Sequence, residues 1–361
     1  MNNKKSLVPA LFMVIIFMLS IAGSSFSEGK TSGLVAPGAT LKEVQSGFNG
    51  TEGPATDADG NVWFTEVFGQ KIDKWSWKDG KITLYRENTG KANGMMFDAK
   101  GNLVICEMGN GRVTRDDLKG NVTVIADSLN GKKMRMPNDL WIDPKDGIYI
   151  SHMYMNLPTG VDMPGGGTSG SGSPAGAQPA GGPSSGAPDG RMSSPTPGGE
   201  AARGGMPEPP DEMLEELGVV YISPDGKKVT RVTTDLTGPN GLIGTPDGKI
   251  LYVGDRDNVW SYKINPDGTL TDKKVFCEKN TDGMAMDEKN NVYFTADKFV
   301  LVYSPAGELI EEIAMPQGCS NVEFGGKDRK TLFITYMGYI YTLEMAVKGC
   351  QLPIDLAGGK K

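Results

Sequence analysis

The chain has 361 residues, 38% hydrophobic and 22% charged, enough apolar material for one sizeable core or two modest ones. Its formal net charge is −7 and no basic run occurs beyond the first few residues, which argues against nucleic acid and anionic membrane surfaces as partners. The expected partner is a small-molecule substrate, and the expected state a monomer or dimer.

The N-terminus reads as an export signal over residues 1–27. Lys4 and Lys5 precede an apolar stretch, Leu7 to Gly23, and Ser25-Phe26-Ser27 offers a small-x-small cleavage site. A periplasmic or extracellular location follows. The alternative is an uncleaved anchor, because the apolar stretch is near the lower limit for spanning a bilayer. Residues 28–38 read as a linker. Cys106, Cys277, Cys319 and Cys350 match no zinc template, so they are either disulfide partners or buried thiols.

From residue 39 onward one phrase recurs six times. Its openings are Thr51-Glu52-Gly53-Pro54, Ala92-Asn93-Gly94-Met95, Pro137-Asn138-Asp139-Leu140, Pro239-Asn240-Gly241-Leu242, Thr281-Asp282-Gly283-Met284 and Ser320-Asn321-Val322. Each leads through a turn such as DADG (57–60) or DAKG (98–101) into a β-branched and aromatic run such as NVWFTE (61–66) or NVYFTAD (291–297). A third and a fourth strand follow, the fourth exemplified by ITLYREN (82–88) and VTRVTTDL (229–236). The landmark residues stand 41, 45, 102, 42 and 39 apart. Four strands per unit of about 40–45 residues is the period of a β-propeller, so the chain is expected to be all-β, with six four-stranded blades. A two-sheet sandwich would not explain six equivalent openings. The last unit lacks a fourth strand after Met345, and Leu41 to Phe48 is expected to supply it and close the ring.

The long third gap holds an insert over 158–212, rich in Gly, Pro, Ser and Ala and lying within blade 3. Such a composition buries too little apolar surface to offset the entropy of ordering. It is read as an inert spacer or a cover over the site, ending in a short helix from Asp211 to Leu217 with Asp211 as N-cap. Residues 39–157 and 213–346 then form one propeller domain, and 347–361 a C-terminal tail.

In a propeller the same repeat position of every blade faces the same point on the axis. Glu52, Asn93, Asn138, Asn240, Asp282 and Asn321 share that position and bring two carboxylates and up to four amide oxygens together, with no Cys or His. Asn-Gly and Asp-Gly also simply make turns, but six in register, two of them acidic, argue for a hard divalent cation. Calcium fits best, with Zn²⁺, Mg²⁺ and Mn²⁺ as alternatives. The second strand of each unit returns to the same face. His152, fourteen residues after Asn138, and Glu107, fourteen after Asn93, are therefore read as substrate contacts beside Asn93 and Asn138. Asp255 and Asp297 end the corresponding strands. Met95, Met96 and Met284 are read as core.

The segment ANGMMFDAKGNLVICEMGNGRVTR (92–115), with the TEGP, PND, PNGL and TDGM openings, resembles the family of gluconolactonase, senescence marker protein (regucalcin) and luciferin-regenerating enzyme, above all its bacterial gluconolactonases. The resemblance runs from about Asn49 to Met345, the insert excepted. It implies a metal-dependent lactone hydrolase in which Glu52, Asn240 and Asp282 bind the ion, Asn138 lies beside it, and Asp282 also acts as general base. Three departures concern substrate rather than metal. Met108 stands where His is usual, Ser151-His152-Met153 replaces Thr-Asp-Pro, and Met136 takes the place of an Arg found in some members, Arg135 lying one residue earlier. A non-catalytic binding propeller, or a metal-dependent ester or phosphotriester hydrolase, are the alternatives.

Overall fold

The computed structural model describes residues 32–153 and 217–356. Within them the six repeats become six four-stranded antiparallel sheets. Blade 1 runs outward from the centre as Thr51–Thr56, Val62–Glu66, Lys71–Trp75 and Ile82–Glu87. The inner strands of blades 2 to 6 are Ala92–Phe97, Pro137–Ile142, Pro239–Gly244, Met284–Met286 and Asn321–Gly325. Each inner strand lies beside those of the two adjoining blades, and that of blade 1 lies beside that of blade 6, so the ring is complete. Lys42–Ser46 pairs antiparallel with Tyr339–Glu344 and supplies the fourth strand of blade 6, the closure read from the repeats.

The recurring Asp-rich turns have one mechanism. The side chain of their first residue accepts the backbone N–H groups that follow: Asp57 from Asp59 and Asn61, Asp98 from Lys100 and Asn102, Asp287 from Lys289 and Asn291, all at 2.9–3.0 Å. These Asx turns satisfy donors that the tight reversal leaves unpaired. The alternating apolar faces of the strands then fill the spaces between blades, as where Trp63 of blade 1 meets Phe97 of blade 2 edge-on at 5.7 Å.

The structure departs from the sequence reading in a few places. The outer strand of blade 3 is only Val229–Arg231, shorter than the expected 229–236. A small hairpin, Ser128–Leu129 with Lys132–Lys133, interrupts the passage from blade 2 to blade 3. All four cysteines are buried free thiols, so no disulfide forms among them. Leu34, read as linker, is buried in the core, and Val35 bridges to Met345. The export signal, the insert between Met153 and Leu217 with its expected helix, and the last five residues lie outside the described residues. Among the described residues no helix is long and apolar enough to cross a membrane.

The segment read as a tail is part of the domain. Gly349 bridges to Asp287 at the first turn of blade 5, and Cys350 N–H donates to Met286 O at 2.9 Å. Ile354 reaches the space beside Gly101, at the first turn of blade 2. Blades 2 and 5 face each other across the ring, so residues 349–354 cross its axis at the end away from the openings. Val347, Cys350, Leu352 and Ile354 are buried there. Leu352→Ala should therefore cost about 2–4 kcal/mol in urea unfolding; a change within error would show that this crossing carries no weight.

Candidate metal centre

In blades 1 to 4 the ladder between inner and second strands slips by one residue at the opening. Glu52 pairs with Thr65, yet the next pair is Ala55 with Trp63, and the same extra residue occurs after Ala92, Pro137 and Pro239. A bulge re-aims the neighbouring side chain. Here it also lets adjoining blades touch backbone to backbone. A Cβ on Gly53 would strike the Asn93 carbonyl, and one on Gly241 the Asp282 carbonyl, so no other residue fits these places. Hydroxyls one residue from the end of the second strands stitch the contact: Thr65 donates to Asn93 O (3.3 Å) and Thr295 to Ser320 O (2.8 Å), each in the next blade.

This construction turns the opening side chains toward one another. Asn321 of blade 6 donates its amide to Glu52 Oε2 of blade 1 at 3.2 Å, and Asn240 of blade 4 donates to the Asp282 carboxylate of blade 5. Glu52 and Asp282 act on each other electrostatically. The charge of Glu52 also acts on Asp139, a residue not assigned to the site from the sequence, and that of Asp139 acts on Asp282. Asp139 stands where four other openings have Gly, and that substitution was the available signal. Carboxylates from blades 1, 3 and 5, spaced evenly around the ring, thus share one axial space.

The amides divide into two groups. Asn321 accepts the N–H of Val322 at its carbonyl (2.8 Å) and gives its NH₂ to Glu52, so it buttresses Glu52. Asn240 Oδ1, by contrast, is buried without any hydrogen-bond partner. Asn93 and Asn138 point their NH₂ groups at the thioethers of Met108 and Met153. Sulfur there can only accept, so the carbonyl oxygens turn the other way. Two of the departures from the family pattern are therefore residues that orient ring amides.

His152 and Glu107, read from the sequence as substrate contacts, both sit buried in hydrogen-bonded positions. His152 is buried, and its Nε2 accepts the N–H of Arg135 at 2.7 Å, three residues before Asn138. Glu107 is buried and takes donors from Asn110 (2.7 Å), Arg112 (2.7 Å) and Thr114 (3.0 Å). Glu66 accepts Asn49 N–H at 2.6 Å, and Asp255 accepts those of Thr237 and Gly238 at 3.0 and 2.6 Å. In blades 1, 3 and 4 the end of the second strand thus carries an acceptor that pins the loop leading into the inner strand, whereas Glu107 of blade 2 holds donors later in its own blade. The sequence locates these residues on the ligand face, but the strand pleat turns them into the blade.

Burial pushes Glu52 up to about 7 despite hydrogen bonds from Asn321 and Gly53, and pushes Asp139 up to about 7 with help from the charge of Glu52. Burial, then Glu52 and Asp139, hold Asp282 well above the ordinary carboxylate range. A buried amide oxygen with no donor beside mutually repelling carboxylates fits a hard oxygen-seeking cation. Among the described residues no group of three or more His, Cys, Asp and Glu is disposed as a metal cluster, so such a site would lean on its amides. With its folded value raised, the stability that Glu52 contributes is complete below about pH 4.5 and falls as pH rises through about 7, and Asp139 and Asp282 act in the same direction. Without metal, the melting temperature should fall over that window. Calcium added near pH 6.5 should release protons and bind more tightly as pH rises through 7; titration calorimetry in buffers of different ionisation enthalpy measures this, and binding without proton release would contradict it.

The sequence profile of the SMP-30/Gluconolactonase/LRE-like region matches residues 50–171 and 184–338. The gluconolactonase of Zymomonas mobilis is 23% identical over 327 residues, covering 82% of this chain and 78% of that protein. Among solved structures, the gluconolactonase XC5397 from Xanthomonas campestris superposes with a TM-score of 0.67 at 24% identity, covering 87% of this chain and 92% of that one. A calcium-binding protein, regucalcin, from Agrobacterium tumefaciens gives 0.62 at 16%, over 88% and 97%; at these identities the two structures speak for the fold alone. With the profile covering all six openings, the chain belongs to the SMP-30/gluconolactonase/LRE-like family.

Proposed function

We propose that the protein is a metal-dependent lactone hydrolase whose ion is held by Glu52, Asn240 and Asp282, with Asn138 beside it. The observation that carries this reading is the orphaned carbonyl oxygen of Asn240 next to a carboxylate whose strongest electrostatic neighbours are other carboxylates. The family profile and the gluconolactonase relative support the lactone-hydrolase part of it. Calcium suits the all-oxygen donor set first, with Zn²⁺, Mg²⁺ and Mn²⁺ as competitors. A divalent cation bound there supplies Lewis acidity to the lactone carbonyl.

The chain's own groups do the rest. Asp282 takes the proton of the attacking water as general base, its hydrogen bond from Asn240 fixing the carboxylate's orientation. A bond forms between the water oxygen and the carbonyl carbon, the ring C–O bond breaks, and the proton passes to the departing alkoxide, giving a hydroxy acid. Asn93 and Asn138, with oxygens turned away from the Met108 and Met153 sulfurs, are placed to meet substrate or water. The segment Leu7–Gly23 supports action outside the cytoplasm.

Aldonolactones, simple esters and phosphotriesters assayed by proton release at constant pH, with and without chelator, test the proposal. Chelator-sensitive turnover of lactones is expected, preference for esters or phosphotriesters would reassign the substrate, and no turnover at all would leave a binding propeller. Asp282→Asn should lower kcat by about 10²–10⁴-fold while the unfolding midpoint is retained; wild-type kcat in that variant would remove Asp282 from the chemistry.

A further inference from the structure

A second pair of carboxyl groups lies outside the channel, between blades 1 and 6. Asp73, on the third strand of blade 1, is 6% exposed, and its Oδ2 is buried with no donor. What it faces, within hydrogen-bonding range, is the Glu66 carboxyl group. Two ionised carboxylates cannot bond to each other, whereas a carboxylic acid can donate to a carboxylate.

Blade 2 shows what this position is for. Glu107 corresponds to Glu66, and seven residues after it Thr114 donates its hydroxyl to Glu107 Oε1 at 3.0 Å. Asp73 stands seven residues after Glu66. It fills the place of a hydroxyl donor and can do that work only with its proton on. Glu66 in turn holds the N–H of Asn49 at 2.6 Å, and Asn49 O takes the N–H groups of Phe68 and Gly69, both at 3.2 Å. The loop so anchored runs directly into Glu52.

We propose that Asp73 is carried as a neutral carboxylic acid sharing its proton with Glu66, and that this shared proton positions the loop that presents Glu52 to the channel. Both are positioning residues, acting on Glu52 through residues 49–51. The other charged groups at the pair are Lys71, on the same strand as Asp73 with its Nζ 4.0 Å from Glu66 Oε1, and Glu87, paired with Lys71 on the fourth strand. The interior on the same face is apolar, built by Phe64 and Trp75 of blade 1 with Phe333 and Ile340 of blade 6. Burial, and then the charge of Glu66, raise Asp73 from 3.8 to about 7. The hold on the loop is therefore complete in acid and lost as pH rises through about 7.

The test needs neither metal nor substrate. Asp73→Thr copies blade 2, supplying a donor that does not titrate, and Glu66→Gln supplies an amide donor that lets Asp73 ionise. Melting temperatures of wild type and both variants are compared from pH 5 to pH 9, with amide exchange of a peptide containing Asn49. The Asp73→Thr minus wild-type difference should widen by about 2–4 °C between those limits. Protection of the Asn49 peptide should fall above pH 7 in wild type relative to Asp73→Thr, and Glu66→Gln should lose the same pH dependence. Differences that stay constant with pH would overturn the proposal. So would a wild-type Asn49 peptide whose exchange tracks that of Asp73→Thr at every pH.

Discussion

The inner strands of this propeller touch one another through backbone, and that close approach governs the site. Where Gly53 meets the Asn93 carbonyl and Gly241 meets the Asp282 carbonyl, no side chain intervenes between blades. Only the residue just before each contact, displaced by the bulge, has somewhere to go, and that is the axis. The polar ring follows from packing that leaves its members no alternative direction. The same crowding removes water from the carboxylates, which is why Glu52, Asp139 and Asp282 hold their protons more strongly than exposed acids do.

Such an arrangement is costly by itself. Like charges brought together in a poorly solvated space either protonate or attract a cation. The scaffold stiffens the arrangement rather than relieving it, since Asn321 braces Glu52 and the second-strand acceptors Glu66, His152 and Asp255 tie down the loops on which three of the openings ride. A pre-formed site lowers the ordering cost that binding would otherwise carry.

The architecture was legible because repetition is a one-dimensional signal. Six openings at near-constant spacing define the blades, and a missing fourth strand at one end matched by a spare strand at the other defines the closure. The ring positions were legible for the same reason. The role of a side chain at a strand end was not. Glu107 and His152 sit on the expected face, but whether they turn to the channel or into the blade depends on pleat and bulge, which spacing does not encode. Asp139 carries no repeat signal of its own: its neighbour Asn138 holds the shared position, and an Asp in place of Gly occurs in one opening alone. The axial course of residues 349–354 had no periodic signature at all, because a single strap occurs once.

That strap has a bearing on traffic. With residues 349–354 laid over the end away from the openings and Cys350, Leu352 and Ile354 buried there, the described residues leave the carboxylates one doorway, at the end where the openings stand. A hydrolysed ligand then has to back out before its successor can come in, so release and capture compete for one passage. The loops around that doorway, more than the bore itself, would set the tempo of the cycle.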